Sequence, residues 1–142
     1  MPERIVVVLV LGTVAVVVAA VLRRWGRPDA PTRPTWAVPD QIDRGDFDRP
    51  DVPWLVVVFS SSTCTACRGT WEKARQLASD EVAVQDLDSV ADAGLHSRYG
   101  VDVVPMVLLV GPDGAVRSSF LGEPPTAELW AAMASAREAT DG

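Results

Sequence analysis

"VVVFSSSTCTACRGTW", residues 56–71, runs from an apolar, β-branched stretch through a Ser/Thr-rich turn into two cysteines three positions apart. With Trp54 and Leu55 in front of it, "WLVVVF" (54–59) is continuously apolar, the pattern of a strand covered on both faces as in a parallel sheet. Beyond the turn, Cys67, Trp71, Ala74, Leu77 and Ala78 recur at helical spacing while Arg68, Glu72, Lys73 and Arg75 fall elsewhere on the wheel. A helix is therefore expected over 64–79. Cys64 opens it, and Cys67 lies one turn along on its apolar face.

Three readings of the cysteine pair compete. A closed zinc site needs about four ligands, yet the chain holds two cysteines and one histidine, His96, in a different expected helix. Two packed thiols or a fixed structural disulfide are the plainest alternative. Position favours exchange chemistry: a helix start presents unpaired N–H groups and the positive end of the dipole, which stabilise a thiolate, and the thiolate is the nucleophile. Cys64 is then placed to attack, and Cys67, shielded but within reach, to resolve the mixed disulfide. Thiol transfer in metal or haem assembly needs a histidine or methionine beside the pair, and Met106 is the only candidate for that role.

Outward from the pair, Ile42 and Phe47 in "QIDRGDF" are the first expected core residues, and "EVAVQDLD" (81–88) returns to strand character. Ser89 is positioned to cap a helix running through Tyr99 and ended by Gly100. "VPMVLLV" (104–110) and "AVRSSFL" (115–121) read as two strands joined by the turn "GPDG". Thr126 is expected to cap a last helix, with Leu129, Trp130, Met133 and either Ala136 or the stem of Arg137 facing inward. The order is β-α-β-α-β-β-α. His96 reads as a partly exposed surface histidine, and Ser60, Ser61 and Ser62 as turn and cap residues, with a proton-relay role as the sharper alternative.

On these motifs the chain resembles the thioredoxin superfamily over about residues 40–138: "VVVFSSSTCTACR", then "LHSRYGVDVVPMVLLVGPDGAVRSSFLG", then an amphipathic helix. The resemblance implies an α/β fold with a thioredoxin-like central mixed β-sheet flanked by helices. It implies catalytic roles for Cys64 and Cys67 and a cis peptide at Val104-Pro105 facing them, with the Val104 backbone pairing to the substrate chain. Val104, Pro105, Thr65 and Ala66 are the expected substrate-binding residues, and cysteine-containing proteins or small thiols the expected substrates, with no metal and no bound cofactor. This chain also departs from the family pattern. Val58 stands where the family has a buried acid and Val84 where it has the lysine paired with that acid. Ser60 replaces a tryptophan of the docking face.

Ahead of this domain, "IVVVLVLGTVAVVVAAVL" (5–22) is eighteen residues without a charge, flanked by Arg4 and by Arg23, Arg24 and Arg27. As a helix it reaches about 27 Å, near the hydrocarbon thickness of a bilayer. A signal peptide has a shorter apolar core and a better cleavage site than Val18-Ala19-Ala20, so an uncleaved single transmembrane helix is expected, with the membrane as partner through residues 5–22. Three arginines after the span against one before it favour a cytoplasmic domain, and an extracytoplasmic one is separated from it by only a residue or two of charge. Four prolines in "PDAPTRPTWAVP" (28–39) read as an extended tether. The expected organisation is anchor 1–27, tether 28–39 and thioredoxin-like domain 40–142.

After residue 28 there are 18 Asp and Glu against 9 Lys and Arg. So acidic a surface repels nucleic acid and anionic headgroups, and neither is an expected partner. The leading function is a membrane-anchored thiol–disulfide oxidoreductase; the alternative is a non-catalytic docking module whose cysteines only cross-link the fold.

Overall fold

The computed structural model describes residues 1–25 and 37–142, and the chain divides into two compact units, one ending at Thr35 and the other beginning at Trp36. The first unit holds one helix, α1 (Pro2–Trp25). Its stretch Pro2–Val21 is long and apolar enough to cross a membrane, and no residue of it is buried in the protein. A signal sequence has the same character. The expected tether, including Trp36, lies outside the described residues as far as residue 36.

The second unit is built on a four-stranded mixed sheet of β1 (Trp54–Ser60), β2 (Val82–Asp88), β3 (Met106–Val110) and β4 (Val116–Leu121), in the order β2-β1-β3-β4. β1 runs parallel to β2 and antiparallel to β3, and β3 is antiparallel to β4. The two interior strands are buried at every position, which is why both are written as unbroken apolar runs. Period two sorts their side chains to opposite faces. Leu55, Val57 and Phe59 pack with Leu108, Ile42 and Phe47 on one face. Val56 and Val58 pack on the other with Ala74 of α2 (Thr65–Ala74) and with Leu129 and Met133 of α4 (Thr126–Asp141). Each fully buried side chain of this size contributes about 1.5–3 kcal/mol.

Several local expectations are corrected by packing. α2 ends at Ala74 and passes into a short 3₁₀ turn, Arg75–Leu77, because Ser79 and Val82 exchange backbone hydrogen bonds that turn the chain into β2; Ala78 is exposed. α3 spans only Ala93–Arg98. Thr126 is the first residue of α4 rather than its cap; the Pro125 carbonyl there accepts the N–H groups of Glu128 and Leu129. The inward stripe of α4 is Leu129, Met133 and Ala136, spaced at four and three residues. Trp130, about 100° around the helix from Leu129, is 46% exposed.

Arg44 is buried, and its guanidinium donates to the carbonyls of Val52 at 2.7 Å and Pro53 at 3.2 Å. Burial lowers its pKa from the ordinary arginine value, opposed by the Asp51 carboxylate.

Candidate active site

β1 delivers the chain at Ser60 into the turn Ser61–Thr63, and α2 starts immediately after Cys64. Cys64 has extended backbone angles and is the N-cap: its Sγ accepts the N–H of Cys67 at 3.2 Å, the position a serine or aspartate oxygen takes in most helices. The sulfur thus sits among the unpaired N–H groups of the first turn, where negative charge is favoured. Cys64 and Cys67 form a disulfide with 5.3 Å between their Cα atoms. Cys64 is half-buried, whereas Cys67 is 2% exposed. Further along α2, Thr70 donates its hydroxyl to the Ala66 carbonyl at 2.8 Å. Lys73 bridges to Glu123 at 2.8 Å and donates to the Pro124 carbonyl, holding the helix to the loop before α4.

Beside the cysteines lies a pocket of about 260 Å³. The sheet end contributes Ser60, Asp86 and Asp88 to it, and α2 contributes Cys64, Cys67, Arg68 and Trp71. The two aspartates escaped the sequence reading, although "QDLD" carries the signal: an i, i+2 pair at the end of a strand shares one face. Asp88 accepts N–H groups from Ser62 and Val90, each at 2.8 Å, and from Ala91 at 3.1 Å. Asp92 in turn accepts the Asp88 N–H at 3.0 Å. Asp88, rather than Ser89, therefore organises the turn before α3. Its carboxyl is held below its ordinary pKa, first by the bonds from Ala91 and Val90, against a desolvation that works the other way.

Val104 and Pro105 are joined by a cis peptide bond. Met106, which follows, pairs with Phe59 at the end of β1, so the Val104-Pro105 step lies at the same end of the sheet as the cysteine turn. Pro105 is buried and its carbonyl accepts the Gly122 N–H at 2.9 Å, while Val104 is half-buried against the first core cluster. Neither lines the cysteine pocket. Thr65 is exposed and Ala66 half-buried on the first turn of α2. Met106 is fully buried in the first core cluster, and among the described residues no group of three or more His, Cys, Asp and Glu side chains is placed to hold a metal ion.

His96 is not the surface residue its helical phase suggested. It is 7% exposed, stacks edge-on against Phe59 with 5.0 Å between centroids, and its Nε2 lies 2.9 Å from the Leu87 carbonyl. Because a carbonyl only accepts, Nε2 carries the proton. The reason for its burial is that the six-residue α3 lies against the end of β2.

The thioredoxin family profile matches residues 49–135, more than half of the chain. The chain belongs to the thioredoxin family. Among solved structures, this thioredoxin-family chain is similar to a point-mutant thioredoxin from Halobacterium salinarum at 25% identity and TM-score 0.57, covering 70% of this chain and 93% of that one. The germline-specific thioredoxin Deadhead of Drosophila melanogaster shares the fold at 24% identity and TM-score 0.53, with coverage of 61% and 83%. So does a Fasciola hepatica thioredoxin at 24% and 0.51, with 58% and 80%. No curated protein matches. The family fold with its C-x-x-C disulfide supports thiol–disulfide exchange as the general chemistry of this thioredoxin-family domain. Of the three positions where the family pattern departs, Val58 is fully buried beneath α2, Val84 is half-buried against the same cluster, and Ser60, 5% exposed, lines the cysteine pocket.

Proposed function

We propose that this chain is a membrane-anchored thiol–disulfide oxidoreductase in which Cys64 is the attacking sulfur and Cys67 the resolving one. The observation that carries the reading is the asymmetry of the pair. The Cys64 sulfur caps the helix on a half-buried residue, while Cys67, 2% exposed, is closed off one turn deeper. A thiolate at Cys64 attacks a substrate disulfide, and Cys67 then displaces the substrate from the mixed disulfide. In this reading Val104, Pro105, Thr65 and Ala66 are the substrate-binding residues, and the substrates are cysteine-containing proteins or small thiols. The apolar helix α1 is, in the same reading, the anchor through residues 5–22, and the arginine excess on its C-terminal side favours a cytoplasmic domain over an extracytoplasmic one by a residue or two of charge.

Trapping tests the catalytic assignment. Cys67→Ser removes the resolving sulfur, so the variant is expected to accumulate mixed disulfides through Cys64 under oxidising conditions, visible as reductant-sensitive adducts by mass spectrometry. An adduct-free variant, together with a reduction potential below about −300 mV for the unsubstituted pair, assigns the disulfide to cross-linking alone.

A further inference from the structure

Resolution of a mixed disulfide on Cys64 requires Cys67 to lose a proton, and its surroundings make that loss costly. Cys67 is 2% exposed, and a thiol withdrawn from water ionises reluctantly. The pocket is the opening beside Cys67, and two carboxylates line it, Asp86 and Asp88. Asp88 is occupied by three backbone N–H groups. Asp86 has no hydrogen-bond or ion-pair partner among the described residues.

Strand register explains why Asp86 is there. It is the β2 partner of Val58 in the parallel ladder, and Val82 and Val84, on the same strand face, pack into the cluster beneath α2. Period two turns Asp86 toward α2 as well, and because β2 is an edge strand its carboxylate stays in contact with water. Arg68 of α2 and Asp88 of β2 are the other charged groups facing the pocket.

We propose that Asp86 is the proton acceptor for Cys67 in the resolving step, acting through water in the pocket; this rests on the exchange reading above. In that step the Cys67 S–H bond breaks and its proton passes to the Asp86 carboxylate. The Cys67 thiolate attacks the Cys64 sulfur, and the bond between Cys64 and the substrate sulfur breaks. The bonding pair leaves with the substrate sulfur, which takes a proton from solvent. A protein or small-molecule disulfide is thereby reduced by two electrons, and the Cys64/Cys67 dithiol is oxidised. In the reverse direction the Asp86 carboxylic acid returns a proton to Cys67 as it leaves, so the role holds whichever way electrons flow.

The test uses the full chain, reduced, in detergent micelles, mixed with one equivalent of the neutral disulfide dithiodipyridine. One thiopyridone is released as Cys64 is capped and a second as Cys67 resolves; Cys67→Ser, keeping the first phase and losing the second, assigns them. Asp86→Asn is expected to leave the first phase within about twofold and to slow the second by about tenfold or more near neutral pH. The gap closes at alkaline pH, where hydroxide takes the proton, and Asp86→Glu recovers part of the rate. A bystander carboxylate gives the opposite sign, because removing a negative charge beside Cys67 favours its thiolate. An unchanged or faster second phase in Asp86→Asn overturns the proposal. Absence of the first phase in the unsubstituted protein overturns the exchange reading instead.

Discussion

At the end of β2 one carboxylate ties two stretches of backbone together: Asp88 holds the N–H of Ser62, ahead of Cys64, and those of Val90 and Ala91, ahead of α3. An amide in its place keeps the shape but loses the charge that strengthens these bonds, and its single carbonyl oxygen replaces only one of the two carboxylate oxygens that accept them. Because the folded state holds this carboxyl below its ordinary pKa, it favours the folded state once pH is above the unfolded value, about 4. That contribution is lost as pH falls through the lower folded value. Asp88→Asn is expected to melt at a lower temperature near neutral pH, with the difference shrinking below about pH 4. Thermal melts of both proteins across acid and neutral pH check this, and a pH-independent difference would show that the charge is not what matters. His96 carries a different lesson. The residue type suits surface and interior alike, and its burial against Phe59 and the Leu87 carbonyl follows from where α3 lands on the sheet.

Among the elements, the β3–β4 hairpin shows how a turn positions a segment far away in sequence. Gly114 has φ 77°, and a Cβ there would strike the Ile42 backbone carbonyl and come within 2.7 Å of Gln41 Nε2. That clearance lets the segment before β1 lie along the hairpin. Ile42 donates to the Gly114 carbonyl, and Val116 donates to the Asp40 carbonyl, both at 2.9 Å. Ile42 is thereby seated in the core that Phe59, the residue before Ser60, also enters. Gly114→Ala is expected to cost about 1–2 kcal/mol for the left-handed angle alone, and more for the collision with backbone. Urea unfolding with an unchanged slope checks this, and a loss under about 0.5 kcal/mol would mean the segment lifts away freely. α2 obeys a more local logic, since its start follows from Cys64 serving as cap and its approach to the loop before α4 from Lys73 and Glu123.

For the whole molecule, the compartment that holds the domain sets its redox task. A reducing cytosol and an oxidising exterior assign opposite tasks to one pair of thiols. With the domain on the cytoplasmic side, intact cells treated with a permeant reductant and then a membrane-impermeant thiol reagent should leave Cys64 unlabelled until the cells are opened. Labelling of intact cells places the domain outside and makes an oxidant or isomerase role the better fit. The same experiment on fractionated cells reads whether the chain stays with the membrane, as an uncleaved span at α1 would make it do.

What the amino-acid sequence determined by itself is whatever depends on neighbours along the chain. The unbroken apolar runs of β1 and β3, the element order, the three-residue spacing that puts Cys67 one turn behind Cys64, and the apolar length of α1 are all local patterns set by helix and strand periods. Only the tertiary structure decided which faces those elements share. It turned Trp130 outward and His96 inward, shortened the helices expected from Cys64 and from Ser89, and brought Asp86 and Asp88 from β2 to the pocket of the cysteines. The reason is physical: burial and the partners of a polar group depend on contacts between residues distant in sequence, and strand register, which no local pattern states, chooses those contacts.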